Sequence, residues 1–299
     1  MGQSRALPVW DRKTDTLIQE YMEDSPSTYE THPKKSVNQW FESHPAYDWA
    51  LAAYYDTRLS VRSIEPFIRR HKLDMTDFEP VIYRSYADFF ERRFKPGARK
   101  FPKKAGEMGA FAEARYMGWQ KVEGSQKFPI KGHSLSVTEI LVDASRAQPF
   151  LGGPVMLARL SPLDYHHAHY FDDGETLHTD WQGGRLWTVN WKALTNQPDI
   201  LFTNERQINI LETKHFGRVA FVEIGALQVG RILQVHRRDV PFKRGEEKSV
   251  FRFGGSAIIL FGEPGAWAPS DDILKHTQDN VETLVRLGEP IATAAVSAA

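Results

Sequence analysis

Between about residues 108 and 265 the chain is cut into short apolar runs, such as PVMLARL at 154–160, RVAFVEIGALQVGRILQV at 218–235 and SAIILF at 256–261. Runs this short, bounded by Gly, Pro, Asn and Asp, read as strands of a buried sheet. They predict a β-rich core, sandwich-like or barrel-like. The preceding segment has a helical texture. SIEPFIRRHKLDM and YADFFERRF place Ile64, Phe67 and Ile68, then Tyr86, Phe89, Phe90 and Phe94, at three- and four-residue spacing. After Pro269, SDDILKHTQDNVETLVRLG opens on a Ser/Asp cap, carries Ile273, Leu274, Val281, Leu284 and Val285 on one helical face, and stops at Gly288. The expectation is an α+β fold, with a helical N-terminal region over 1–105 and a β-rich core over 106–299 closed by a C-terminal helix.

Composition narrows the chemistry. With 299 residues, 41% of them hydrophobic, the chain can bury a substantial core. Lys plus Arg and Asp plus Glu each number 38, so no overall field favours nucleic acid. Cysteine is absent, which removes disulfides, thiol nucleophiles and Cys-ligated metals. The opening MGQSRALPVWDRKTDTLIQEYMED has no apolar stretch, and no later run approaches the ~20 apolar residues that span a bilayer. A cytoplasmic protein is expected, with any membrane contact peripheral.

Inside FRFGGSAIILFGEPG, residues 251–265, the pair Gly254 and Gly255 interrupts a strand just before Ser256. Glycine weakens a strand, and its usual meaning there is a bulge or a close approach to the backbone. A chemical meaning is also open. The Ser256 hydroxyl could attack the carbonyl of Gly255, where no side chain obstructs it, and turn the peptide into an ester. Elimination would then cut the chain and leave a pyruvoyl ketone, which forms a Schiff base with an amine and withdraws electrons, as in amino-acid decarboxylation.

SPLDYHHAHYFDDG, residues 161–174, sets three histidines within four positions beside Asp164. These groups take and give protons near neutral pH, as self-cleavage and decarboxylation both require. In an ideal strand His166 and His169 point to opposite faces, whereas a bend could bring them together. The competing readings are a metal site and a cluster of solvated or core histidines; no obvious third ligand set accompanies them, and no metal is expected.

Taken jointly, these stretches resemble the phosphatidylserine decarboxylases, specifically the soluble bacterial branch whose cleavage motif reads FGGS. The resemblance runs from Asp11 to Gly288. It is carried by DRKT at 11–14, YDTRLSVRSIEPFIRRHKLDM at 55–75, FFERRFKPGAR at 89–99, IKG at 130–132, SPLDYHHAH at 161–169, ILETKHFGRVAFVEIGALQVGRI at 210–232 and FRFGGS at 251–256. It implies self-cleavage at Gly255–Ser256 into chains 1–255 and 256–299 that stay associated. Ser256 would become the pyruvoyl group and Schiff-base carbonyl, with no pyridoxal phosphate. It further implies that His169 activates the serine within a triad and that His166 does proton work during decarboxylation. The family's triad acid is usually an aspartate upstream of IKG; here FAEAR at 111–115 aligns Glu113 with it. Other departures are His167 for arginine, Phe171 for proline and Ala257 for threonine.

The implied substrate is phosphatidylserine, giving phosphatidylethanolamine and carbon dioxide. The same chemistry on a soluble amino acid such as tryptophan is the first alternative, and an uncleaved lipid-binding homologue is the second. FFERRFKPGARKFPKK, residues 89–104, carries seven basic residues against Glu91 and reads either as a patch for an anionic lipid surface or as a helix end whose aromatics face the core. A homodimer is left open.

Overall fold

The computed structural model describes residues 7–20, 50, 52–122, 136–184, 189, 199–225, 231–252 and 256–295. In chain order its strands are β1 (Leu7–Asp11), β2 (Thr16–Glu20), β3 (Glu107–Gly109), β4 (Ala114–Trp119), β5 (Val155–Leu160), β6 (His167–His169), β7 (Gly174–Gln182), β8 (Arg206–Thr213), β9 (Gly217–Ile224), β10 (Arg231–Gln234), β11 (Glu247–Arg252), β12 (Ser256–Gly262), β13 (Trp267–Pro269), β14 (Glu282–Val285) and β15 (Pro290–Ala294). Nine of them form one open sheet in the order β2-β1-β14-β4-β5-β12-β9-β8-β7. Only the β1–β14 pairing in it is parallel. The core is therefore sandwich-like, its large sheet ending among the described residues at β2 and β7, and not a closed barrel.

Strand alternation sends successive side chains to opposite faces, and here both faces are buried. Ile258, Leu260, Met156, Ala158 and Phe221 pack toward the small sheet β10-β11-β6, against Ala168, Ile232 and Phe251. Ala257, Ile259, Phe261, Leu157 and Val222 pack toward the helices Val137–Leu141, Ala144–Ala147 and Ile200–Thr203. This double burial is why β5 and β12 read as unbroken apolar runs. Burying one such aliphatic side chain is worth about 1.5–3 kcal/mol, so the centre of the large sheet is the most strongly held part of the fold.

Among the described residues before 105, helical structure spans Arg58–Ser63, Ile64–His71 and Tyr86–Phe90. Helices Ile64–His71 and Tyr86–Phe90 meet through Ile64, Phe67, Ile68, Tyr86 and Phe89, as their spacing predicts. Residues 7–20, however, form the hairpin β1–β2 at the edge of the large sheet. Arg12 fastens this hairpin, donating to Asp272 Oδ2 at 2.9 Å and to the Pro290 carbonyl at 2.7 Å. The closing helix also needs correction. It spans Asp271–Gln278 only and is followed by Asn280 at φ +57°, after which Glu282–Val285 enters the large sheet between β1 and β4. Val281, Leu284 and Val285 fit a helical face in spacing, but Asn280 in the left-handed region ends the helix before them.

Candidate active site

Ser256 is the first residue of β12, hydrogen-bonded as a strand to β5 through its pairing with Leu160. It shares a face with Ile258 and Leu260, toward β6, β10 and β11. It is fully buried, and its Oγ has no hydrogen-bond partner among the described residues. A buried hydroxyl left unbonded costs about 1–3 kcal/mol. Such a cost asks for a reason. Gly254 and Gly255 lie outside the described residues.

The histidine segment follows from the same end of the sheet. From Leu160, opposite Ser256, the chain turns through 161–164 and runs into β6, which pairs with β11. Phe251 N donates to the His166 carbonyl at 2.9 Å. Five residue steps separate Phe251 from Ser256, so the two lie within about 17 Å even on a fully extended chain. Ser256 thus lies opposite the residue from which the histidine segment departs, and within that reach of the strand residue that bonds His166.

Arg92 holds the turn in place. Buried between Phe78 and Phe89 at 4.9 and 5.0 Å, it donates to the carbonyls of Leu163 and Asp164 at 2.5 and 2.7 Å. Burial lowers its pKa to about 10, which leaves it charged. The Asp164 carboxylate accepts from Ser161 N at 2.6 Å and pairs with buried Arg115.

His166 is buried, with its ring tilted 3.9 Å from Phe90 and its Nδ1 3.1 Å from the Asp164 carbonyl. A carbonyl only accepts, so Nδ1 carries the proton. His169 is arranged the same way at Nδ1, which lies 2.9 Å from the Gly245 carbonyl, while its Nε2 lies 3.2 Å from the Tyr165 hydroxyl. Burial holds its pKa below the ordinary histidine value, which favours a neutral ring with a lone pair at Nε2. Between them, His167 bonds Glu247 Oε1 at 2.7 Å and the Glu91 carbonyl at 3.1 Å.

Glu113 does not meet His169, contrary to expectation. Its carboxylate takes both arms of Arg99, at 2.7 and 3.0 Å, and accepts from Leu287 N at 3.4 Å. The Gly245 carbonyl occupies the position at His169 Nδ1 that the acid was expected to fill. Glu113 still lies two residues from Phe111, whose carbonyl accepts from His169 N at 2.8 Å. The basic stretch 89–104 is likewise not one free patch: Arg92 is buried, Arg93 and Arg99 bond Glu247 and Glu113, and Phe89 and Phe90 face the core. Lys100, Lys103 and Lys104 remain exposed.

Two participants were not anticipated. Tyr165 lies inside the quoted motif, but nothing in the motif says that its hydroxyl meets His169. Glu247 has no local signal and arrives through the pairing of β11 with β6. Burial alone would raise its carboxyl, yet hydrogen bonds from His167 and Arg93 outweigh that and hold it at about 2. Its folded value lies below its ordinary 4.5, so its contribution to stability is complete above that pH and is lost as pH falls toward 2. Glu247→Gln should lower the melting temperature at neutral pH and flatten its decline between those limits. Parallel curves for parent and variant would remove Glu247 from the acid sensitivity.

A cavity of about 410 Å³ is lined by Val9, Ile18, Arg70, His71, Lys72 and Arg115 among others. Arg115 pairs with Arg159, which pairs with Ala257, so it sits on the face away from the Ser256 side chain. Among the described residues no group of three or more His, Asp or Glu could hold a metal ion.

A family model described as phosphatidylserine decarboxylase matches residues 86–293. The phosphatidylserine decarboxylase proenzyme of Ruminiclostridium cellulolyticum is 33% identical over 240 residues, covering 80% of this chain and 80% of that protein. Proenzyme 2 of Clostridium acetobutylicum is 33% identical over 240 residues, covering 80% and 81%. Proenzyme 3 of Schizosaccharomyces pombe is 32% identical over 241 residues, which is 79% of this chain but 25% of its own length. With the family model spanning Ser256, His166 and His169, and relatives 33% identical over 80% of the chain, the chain belongs to the phosphatidylserine decarboxylase family of carboxy-lyases.

Proposed function

We propose that this chain is a proenzyme that cuts itself between Gly255 and Ser256 and then decarboxylates phosphatidylserine to phosphatidylethanolamine and carbon dioxide. The carrying observation is Ser256: a fully buried hydroxyl without a partner among the described residues, at the first position of a central strand. In this reading Nε2 of His169 takes the hydroxyl proton as Oγ attacks the Gly255 carbonyl carbon. The C–O bond forms, and the Gly255–Ser256 C–N bond breaks. Loss of the Ser256 α-proton then expels the Gly255 carboxylate, and hydrolysis of the resulting dehydroalanine releases ammonia.

Ser256 suits the precursor of a pyruvoyl group, because a cut before it leaves β12 whole between β5 and β9. When formed, that ketone supplies the electron sink for decarboxylation. The chain beginning at Ser256 also contributes β14, held between β1 and β4, which supports lasting association of the two chains. His166 serves the proton return that follows loss of carbon dioxide. Glu113 acts at a distance: through Arg99 and Leu287 N it steadies the segment whose Phe111 carbonyl receives His169 N.

The lipid substrate draws support from the names of the relatives. Exposed Leu59 and Ile82, 68% and 96% accessible, together with Lys100, Lys103 and Lys104, suit a peripheral contact with an anionic cytoplasmic membrane face. Among the described residues no helix is long and apolar enough to cross a membrane.

Intact-mass analysis of the purified protein should show a small chain starting at residue 256 with a carbonyl-bearing N-terminus. Phosphatidylserine vesicles should yield phosphatidylethanolamine. A single intact chain in folded protein sinks the self-cleavage. Carbon dioxide from tryptophan but not from phosphatidylserine sinks the lipid assignment.

A further inference from the structure

His169 has two ring nitrogens and two fixed neighbours. The Gly245 carbonyl at 2.9 Å can only accept, so Nδ1 donates and Nε2 keeps its lone pair. The Tyr165 hydroxyl at 3.2 Å is then the donor to Nε2. Burial raises the Tyr165 pKa, so the hydroxyl retains its proton. The tyrosine ring has little freedom. It stacks on His167 at 4.2 Å and 12°, and packs against Phe94 at 4.3 Å. His167 is in turn pinned at both nitrogens by Glu247 and the Glu91 carbonyl, and Glu247 is gripped by Arg93 at 2.5 and 3.1 Å.

We infer that Tyr165 is a positioning residue for self-cleavage: its clamped hydroxyl fixes His169 in the tautomer with a basic Nε2, and is the group that the Ser256 hydroxyl displaces from that nitrogen. This rests on the reading of His169 as the base. An O–H···N bond stabilises the neutral ring, so losing it raises the affinity of His169 for a proton. The other groups facing His169 stay in place in a phenylalanine variant. Glu247 from β11 favours the charged ring, whereas His167 from β6 and Arg93 from the 91–94 segment oppose it.

The test is the pH profile of maturation, followed by gel after the protein is refolded at each pH. In Tyr165→Phe the acid limb should move upward by about half to one pH unit, the equivalent of one ordinary hydrogen bond. An unmoved limb in folded Tyr165→Phe overturns the inference. His169→Ala separates the two layers: if that variant matures normally, the base assignment itself fails, whatever Tyr165 does. A readout independent of the tyrosine variant is histidine nitrogen NMR on the uncut Ser256→Ala protein. His169 should show a protonated Nδ1 and a hydrogen-bonded, unprotonated Nε2. The opposite tautomer overturns the proposal even if Tyr165→Phe fails to fold.

Discussion

Ser256→Ala should accumulate as one uncut chain of 34.2 kDa, with no carbonyl-bearing small fragment and no decarboxylation. Removing a nucleophile of this kind costs on the order of 10⁶-fold in rate, which for a single self-cleavage event reads as complete arrest. The usual objection to such a result is misfolding, and the structure answers it. The Ser256 Oγ makes no hydrogen bond among the described residues, so replacing it by hydrogen strands no partner among them. The alanine protein should therefore melt at the same temperature as uncut parent. Arrested cleavage with an intact melting transition ties the chemistry to one oxygen atom. Two chains from Ser256→Ala would move the cut elsewhere and end the assignment.

The parts of this molecule that were readable in advance are those whose cause is local. β5, β9 and β12 are apolar because both of their faces are buried, and that cause is written in consecutive residues. His166, His169 and Ser256 stand out as candidates for a similarly local reason: reactive residue types crowd short motifs. What escaped depends on pairing between distant segments. Val281, Leu284 and Val285 sit at spacings that suit a helix, and only the slot between β1 and β4 makes their segment a strand. Glu113 is matched to His169 only through its alignment with the family's usual triad aspartate, whereas the fold brings it to Arg99, which offers two donors in a geometry that fits a carboxylate. Glu247 reaches His167 across 80 positions through the register of β11 with β6. Arg92 looked like one charge in a basic run, yet it is the internal brace of the turn leading to the histidines.

His166→Gln should give the second large effect and, unlike the serine variant, should leave maturation running. The two histidines are held by different carbonyls, His166 by that of Asp164 and His169 by that of Gly245, and only His169 touches the Tyr165 hydroxyl. Losing His166 therefore leaves the two hydrogen bonds of the self-cleavage base, to Gly245 and Tyr165, in place. Glutamine can still place an amide N–H toward the Asp164 carbonyl and fill much of the space beside Phe90, but it neither takes nor gives a proton at these pH values. The expected protein is processed into two chains, melts close to the parent, and lets phosphatidylserine be trapped on its small chain by a reducing agent. Turnover to phosphatidylethanolamine should fall by about 10²–10⁴-fold, the usual contribution of a positioned proton donor. His166→Ala should show the same loss of turnover with a lower melting temperature, because it opens a cavity against Phe90. Full turnover by processed His166→Gln would assign the proton to water or to His167. A folded but unprocessed His166→Gln would instead place His166 in maturation, alongside His169.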